Sequence, residues 1–597
     1  MSDGGSYDIL VVGSGGAGLR AAIRAAESGC KTLILSKGKV NRSGATLLAG
    51  ANISADVECD GNSLFNMGFA EAGKDDSKDA WFSEIVEQGM FLNNQKLVET
   101  YVDDAPDRVR ELIDWGVKVY RLESERGISV SSRELLDVLM KRLVASGAQH
   151  QSDVQALELL VTNGRVSGVL GFSVFTGEYV TYSAKAVILA TGGWHGLYPF
   201  NAGGTDLTGD GQAMAFRAGA DMINMEMVTF CPNTVLTPRR YRGSIVPYIF
   251  TASGYGHLLN RKGEEFLGKY FKPEMMDLAL HTEWNKLLLS FAEFREIEHE
   301  GTPGGGVYFS MKHCPNEVFE TIQDHIPGLR DAYPDMIARL ASGYSLEIAP
   351  SAEYFEGGIW VNERYETSIP GLFAAGECTG GTFGSNRVSA ATTQMLVQGY
   401  EAAGFASQYA NESDHARVDG SQVRYLEEVL EKPFASSAAC GANAAGGSAT
   451  PTGVKKTVGD LAIRHMSMIR DGEGLELVAA GVDSAREALN GGVTISNASR
   501  AYNPEWLDYI TARNFVDVLQ MSAGAAMIRT ESRGVHYRDD HPYTDNDNWL
   551  KTIVVHKGSD GGAMEFRSEP VVTTRSALPG GRDDYQAYIA SLAEKYV

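Results

Sequence analysis

The stretch YDILVVGSGGAGLRAAIRAAESGCKTLILSK, residues 7–37, decides the fold. Its first residues form a continuous apolar run that predicts a buried strand, and LRAAIRAAESG carries the 3.6-residue apolar spacing of a helix. CKTLILSK predicts a second strand, so the whole reads as one βαβ unit. Between the first strand and the helix lie Gly13, Gly15 and Gly18, the G-x-G-x-x-G spacing of a dinucleotide fingerprint in its required setting. Gly13 permits the tight turn, Gly15 lets backbone approach a pyrophosphate, and Gly18 lets the helix pack on the strand. Gly16 and Ala17 complete the turn, and the amides that open the helix favour an anion there. The acidic residue that usually holds a ribose about twenty positions on is absent. Ser36 and Lys37 stand in its place, which weakens an NAD reading and leaves a hydroxyl to reach the ribose.

Outward from this unit, residues 43–55 are rich in glycine and alanine, and a polar, largely helical region runs to about residue 148. Two strands, VQALELLVT and GRVSGVLGFSV, lead into KAVILATGG, a buried strand that breaks into glycines. From about 225 to 345, aromatics, prolines and charges interrupt the pattern, and the segment reads as an insertion. Strand-and-turn texture resumes at EGGIWVN and PGLFAAGEC and closes with a helix over 392–409. The Ala/Gly/Ser run 436–453 is expected to be a loop, 454–529 is helical in period, and the remainder mixes strand-like IVVHKG with turns.

The chain has 597 residues, 43% of them hydrophobic, and a net charge of 53 − 76 = −23. At about 150 residues per domain this length fits three or four domains and excludes a disordered or fibrous protein. Such an acidic balance argues against a nucleic-acid surface or an anionic membrane face as partner. The six cysteines, at 30, 59, 231, 314, 378 and 440, are never closer than 29 residues, so no zinc knuckle or clustered iron–sulfur ligand set is present and no metal site is expected. No apolar run is long enough to cross a bilayer, and the polar lead lacks the features of a signal peptide. The expected location is the cytoplasm.

In order along the chain, GSGGAG, LSKGKVNRSGAT, ILATGG, LTGDGQAMAFRAGA, LLNRKGEEF, EGGIWVN, PGLFAAGECTGG, GSNR and RTESRGVHYRDDHPYTDNDNWLK resemble the flavoprotein subunit family of succinate dehydrogenase and fumarate reductase. That family includes L-aspartate oxidase and the adenylylsulfate reductase α subunit. The resemblance implies an α/β protein with a split Rossmann-like FAD-binding domain (1–224 and 346–410), an inserted α+β cap (225–345), a helical domain (411–529) and a small C-terminal domain (530–597). It places the isoalloxazine near Ser43, Gly44, Ala45, Thr46, Ala49 and Gly50. Several members bond a histidine covalently to the flavin at the position of Gly44, so FAD is expected to be non-covalent here. Further FAD positions implied are Ala190, Thr191, Gly192, Asp210, Glu377 for the ribitol hydroxyls, Arg387 and Thr392.

The same resemblance exposes departures in the substrate site. The family's Phe-His-Pro-Thr reads Phe230-Cys231-Pro232-Asn233, and the block ending in its proton-shuttling arginine reads Asp277-Leu278-Ala279-Leu280-His281. His-Tyr-Thr-Met-Gly-Gly reads Glu353-Tyr354-Phe355-Glu356-Gly357-Gly358, and only Arg387 of GSNR survives. Two arginines and two histidines have become one Arg, one His, one Cys and one Glu. A carboxylate at Glu353 repels a dicarboxylate, so succinate and fumarate are expected to be poor substrates and a neutral or monoanionic ligand a better one. Arg387 can hold one carboxylate or a carbonyl. His281 is the leading proton-transfer group, with Glu353 as the alternative base or as its orienter. Cys231 and Tyr255 complete the candidate set, each equally readable as packing.

These readings imply an FAD-dependent reductase or dehydrogenase acting on an activated C=C or CH–CH bond. No second fingerprint for a nicotinamide is evident, so electrons are expected to pass to or from a separate iron–sulfur or quinone-linked partner. An oxidase of amines or hydroxy acids resembling L-aspartate oxidase, an enzyme like adenylylsulfate reductase, and a non-catalytic electron-transfer flavoprotein are the alternatives.

Overall fold

The computed structural model describes residues 2–48, 52–54, 77–121, 127–246, 249–252, 254–282, 284–325, 334–387, 390–440, 449–558 and 563–593. The expected cofactor positions Ala49 and Gly50 lie outside the described residues. β1 (Ser2–Val12) is wholly buried over Ile9–Val12, a run of apolar residues that sits in the interior of the sheet between its two parallel neighbours. α1 (Gly16–Glu27) follows, then β2 (Thr32–Leu35), β3 (Gln149–Gln151), β4 (Val154–Thr162), β5 (Arg165–Ser173) and β6 (Tyr179–Leu189). The sheet order is β3-β2-β1-β6-β5-β4. β3, β2, β1 and β6 are parallel neighbours, whereas β4, β5 and β6 pair antiparallel.

The insertion forms its own four-stranded antiparallel sheet from β7 (Val228–Thr237), β8 (His257–Leu259), β9 (Val307–Ser310) and β10 (Leu346–Phe355), in the order β7-β10-β9-β8. The helices α2 (Pro273–His281) and α3 (Asn285–Glu300) belong to the same stretch, and α3 packs on β7. The boundary expected at 345/346 therefore falls at the start of a strand that this sheet needs: β10 pairs with both β7 and β9. Its apolar residues Leu346 and Ile348 are fully interior.

After the insertion β11 (Leu372–Ala374) pairs parallel with β6 and returns the chain to the first sheet. α4 (Ala391–Glu412) then crosses α1 so closely that a Cβ on Gly399 would lie 2.5 Å from the Ala17 carbonyl oxygen. α5 (Gly420–Cys440), α6 (Pro451–His465), α7 (Gly472–Gly491) and α8 (Pro504–Ile528) supply the helical part. The loop expected over 436–453 is corrected at both ends: α5 continues through Cys440 and α6 begins at Pro451. Alanine and serine there are good enough helix formers to extend an existing helix, and Thr450 caps the next one. β12 (Lys551–Lys557) and β13 (Met564–Pro570) form a hairpin, and β12 also pairs with Met222–Ile223. No described helix is long and apolar enough to cross a membrane. Among the described residues no group of His, Cys, Asp or Glu side chains could hold a metal ion.

A buried chain of charges joins the tail to the rest. Arg529 donates to Glu226 (2.7 Å) and Glu531 (3.0 Å), and Arg533 donates to Glu531 (2.8 Å); all four side chains are 0% exposed. Remaining donors reach carbonyls of Trp549, Lys551 and Met90 at 2.8–3.0 Å. The two positive and two negative charges match, which is the condition for burying any of them. Glu531→Gln leaves Arg529 its Glu226 partner but strips the buried Arg533 guanidinium of its carboxylate. The holoprotein is expected to lose about 3–5 kcal/mol of stability, read in its urea midpoint; an unchanged midpoint would contradict this account of the network.

Candidate functional site

The glycine turn is shaped by contacts that exclude any side chain. A Cβ on Gly13, whose φ is +106°, would lie 2.3 Å from the Ala190 carbonyl oxygen, and one on Gly18 would lie 1.9 Å from the Gly13 carbonyl oxygen. α1 opens with Gly15 at its N-cap, with neither a side-chain cap nor an acidic residue in its first turn. Its first amides are thus left for an anion, since a helix cannot satisfy its own first four N–H groups. One is taken: Gly16 N–H donates to Thr46 Oγ1 at 3.2 Å, which brings the 43–46 loop against the turn.

The other expected cofactor positions gather around this end of the sheet. Gly44 has φ +86°, its N–H donates to Asp206 at 2.9 Å, and the space beyond its Cα is open. Ser36, just past β2, receives a hydrogen bond from Ser14 Oγ at 2.8 Å. Lys37 Nζ reaches Thr208 Oγ1 (2.7 Å) and Asp210 (2.8 Å), while Asn514 donates to the other Asp210 oxygen at 2.8 Å. Two residues expected at the cofactor are therefore bound first to each other. Ala190, Thr191 and Gly192 follow β6 directly, and Thr392 lies in the first turn of α4. Thr191 Oγ1 and Glu377 Oε1 are buried without a hydrogen-bond partner among the described residues. An adenine dinucleotide fits this cradle: small turn, open amides, and unpaired polar atoms beside the sheet's end.

β10 delivers Glu353, Tyr354 and, just beyond it, Glu356. Arg387 donates to Glu353 Oε1 at 2.8 Å, and Lys286 Nζ, at the start of α3, lies 3.0 Å from Glu353 Oε2. The three side chains are 12–20% exposed. Burial by itself would raise the Glu353 pKa, but Arg387 and Lys286 outweigh it and hold the carboxyl at about 2. Arg387 loses by burial and gains more from Glu353, so it keeps its proton more firmly than a free arginine. Its guanidinium also sits 4.9 Å from the centre of the Tyr354 ring, whose hydroxyl donates to Gln394 at 2.5 Å.

Two neighbouring carboxyls behave in the opposite way. Glu356 is 2% exposed and receives a hydrogen bond from the Thr229 hydroxyl; burial, only partly offset by that bond and by Arg387, pushes it up to about 8. Burial also raises Glu377, against the effects of His195 and Arg387. His195 is fully buried, with Nε2 donating to the Glu353 carbonyl oxygen at 2.7 Å and lying 3.4 Å from Glu377. Deeper in the cap, burial takes Glu293 to about 8 despite the Asn233 N–H that bonds it.

The remaining expected substrate residues do not share this cluster's contacts. His281 ends α2 half exposed, with Nδ1 2.9 Å from Asp277 one turn back, so the carboxylate that orients it is Asp277 and not Glu353. Tyr255 is 37% exposed. Cys231 is buried in β7 opposite Ser351. The charge inventory read from motifs is corrected by one cation, Lys286, which no motif marks. Its only trace in sequence is a basic residue at the start of a cap helix. His195 and Glu356 were equally missed, although WHG directly follows ILATGG and Glu356 interrupts an apolar strand end.

Residues 8–393 match the family described as "FAD binding domain", and residues 455–585 match "Fumarate reductase flavoprotein C-term". A fumarate reductase (CoM/CoB) polypeptide of Methanothermobacter marburgensis is 30% identical over 92% of this chain and 97% of its own length. The fumarate reductase flavoprotein subunit of Mycobacterium tuberculosis is 28% identical over 95% and 98%. Among solved structures, Sdh1 of Mycobacterium smegmatis in complex with UQ1 superposes with a TM-score of 0.82 at 26% identity, covering 97% of this chain and 96% of that one.

The raised Glu356 pKa has a definite sign in stability. Folded Glu356 keeps its proton to about pH 8, whereas the free carboxyl releases it near 4.5. Its contribution is full below 4.5 and is lost as pH rises towards 8, at about 1.4 kcal/mol per pH unit. Glu356→Gln is expected to flatten this part of the profile, so that its urea midpoint falls less than the wild type's between pH 5 and 8; parallel curves would show the carboxyl to be ionised throughout.

Proposed function

The chain belongs to the FAD-binding flavoprotein subunit family of succinate dehydrogenase and fumarate reductase, and from this we propose that it reduces an activated C=C bond in a monocarboxylate rather than a dicarboxylate. It is an FAD-dependent oxidoreductase of the fumarate reductase and succinate dehydrogenase type. Bound FAD supplies a ring that stores and releases a hydride. The α1 amides with Gly13, Gly15 and Gly18 would hold the pyrophosphate; the 43–46 loop, Thr191, Glu377 and Thr392 would face the rest of the cofactor. Gly44 supports non-covalent attachment, because glycine offers no side chain to bond the flavin. In the division of the chain we extend the cap to Phe355, since β10 completes its sheet.

The observation that carries the substrate reading is the Arg387–Glu353–Lys286 cluster. Two cations and one ionised carboxylate leave a single positive charge in excess, with Glu356 beside them protonated at neutral pH. One carboxylate is matched by that charge. A second would be placed against Glu353 in a poorly solvated site, where like charges repel most strongly. An oxidase that uses Glu353 to bind an ammonium is disfavoured, because both Glu353 oxygens already face cations. With no second dinucleotide fingerprint in the chain, electrons would arrive through a separate iron–sulfur or quinone-linked partner.

Chemically reduced protein mixed anaerobically with but-2-enoate or with fumarate tests this directly. But-2-enoate is expected to reoxidise the flavin with a kcat/KM at least about tenfold above that for fumarate, a preference of about 1.4 kcal/mol; equal or better use of fumarate would refute the monoanion reading. Glu353→Gln should tighten fumarate binding about tenfold, and Arg387→Ala should abolish turnover of the preferred acid.

A further inference from the structure

Reduction of a C=C bond needs a proton as well as a hydride, and the charged residues of the cluster differ in what they can give. Glu353, held at about 2, has no proton to offer at neutral pH. Arg387 is delocalised and binds its proton more firmly than usual, which suits it to gripping a carboxylate. His281, the candidate suggested by motif position, is half exposed and engaged with Asp277. Lys286 differs from all three. It is a point-charge donor with three N–H groups, its Nζ lies 3.0 Å from Glu353 Oε2, and its side chain is 15% exposed, enough for a path to water. Lys286, on the cap helix α3, and Arg387 share the one Glu353 carboxylate, Lys286 nearest Oε2 and Arg387 on Oε1, so a substrate carboxylate gripped by Arg387 would lie beside Lys286.

We propose that Lys286 is the residue that delivers the proton to the substrate carbon, with Glu353 holding its ammonium in place beforehand. This rests on the reductase reading above. FAD, once bound and reduced, would supply the hydride and with it both electrons for the C–H bond at the β carbon. An N–H bond of Lys286 breaks as a C–H bond forms at the α carbon. The C=C bond becomes CH–CH, the flavin is left oxidised, and the neutral amine regains its proton from solvent.

The test is single-turnover reoxidation of the reduced, FAD-loaded protein by but-2-enoate, with fumarate as the second probe. Lys286→Ala is expected to retain FAD, to bind but-2-enoate to the oxidised protein more weakly because the cluster's excess positive charge is gone, and, at saturating but-2-enoate, to reoxidise at least 100-fold more slowly. Methylamine or ethylamine in the buffer should restore the rate in a concentration-dependent way, which a merely structural lysine would not allow. If Lys286→Ala loses its FAD, Lys286→Gln carries the test: its amide can still hydrogen-bond Glu353 but has no acidic proton to give, and it should reoxidise at least 100-fold more slowly at saturating probe. A variant within tenfold of wild-type rate, or a slow one that no amine rescues, overturns the assignment alone. A wild-type protein inert towards both probes overturns the reductase reading and this assignment together.

Discussion

The placement of the Arg387–Glu353–Lys286 cluster depends on a buried, charge-matched chain of side chains at Glu226, Arg529, Glu531 and Arg533. Glu226, Arg529, Glu531 and Arg533 are sealed from water, and Arg533 also donates to the Met90 carbonyl oxygen. Next to Met90, the Gly89 carbonyl oxygen accepts from Ser385 N–H, and Val535 N–H donates to the Ser385 carbonyl oxygen. Gly534 is pressed so closely on Ser385 that a Cβ would meet its carbonyl oxygen at 2.0 Å. Ser385 stands two residues before Arg387. The tail motif therefore works at a distance, as the wall against which the arginine's loop is set. Buried ion pairs contribute little net stability but penalise every alternative arrangement, because any other packing strands a charge.

His536 shows how completely this region is neutralised where it must be. Surrounded by Arg470, Arg529 and Arg538 and fully buried, it is held far below the usual imidazole range. Nε2 donates to the Arg529 carbonyl oxygen and Nδ1 accepts from Arg470 at 2.8 Å, which is the pattern of a neutral ring. At the other cluster the same physics gives two outcomes for adjacent carboxyls. Glu353 faces two cations and ionises; Glu356, three residues on, faces a hydroxyl and keeps its proton. Partner identity, not burial alone, separates them.

Much of the architecture is legible in the order of residues. The βαβ unit, the glycine spacing, the buried strands 154–162, 165–173 and 179–189, the return to the first sheet and the helical stretch all follow from local periodicity and turn chemistry. The end of the insertion was not legible, because β10 begins in the cap sheet and ends at the cluster, and its apolar texture suits either side. The loop expected at 436–453 failed because alanine and serine are as compatible with a helix as with a loop when a helix is already running.

The sequence by itself pointed to a dinucleotide at the end of α1, because Gly13, Gly15 and Gly18 stand between a strand and a helix at the spacing such a turn needs. Its motifs also led to the expectation of a substrate site poorer in positive charge than that of the dicarboxylate enzymes it resembles. Which charged side chains meet there was decided only in three dimensions. Lys286, Glu353 and Arg387 lie 67 and 34 residues apart along the chain, and no spacing rule connects them. Charge acts through space, so the sign of a pocket is known only when the fold has chosen which side chains share it.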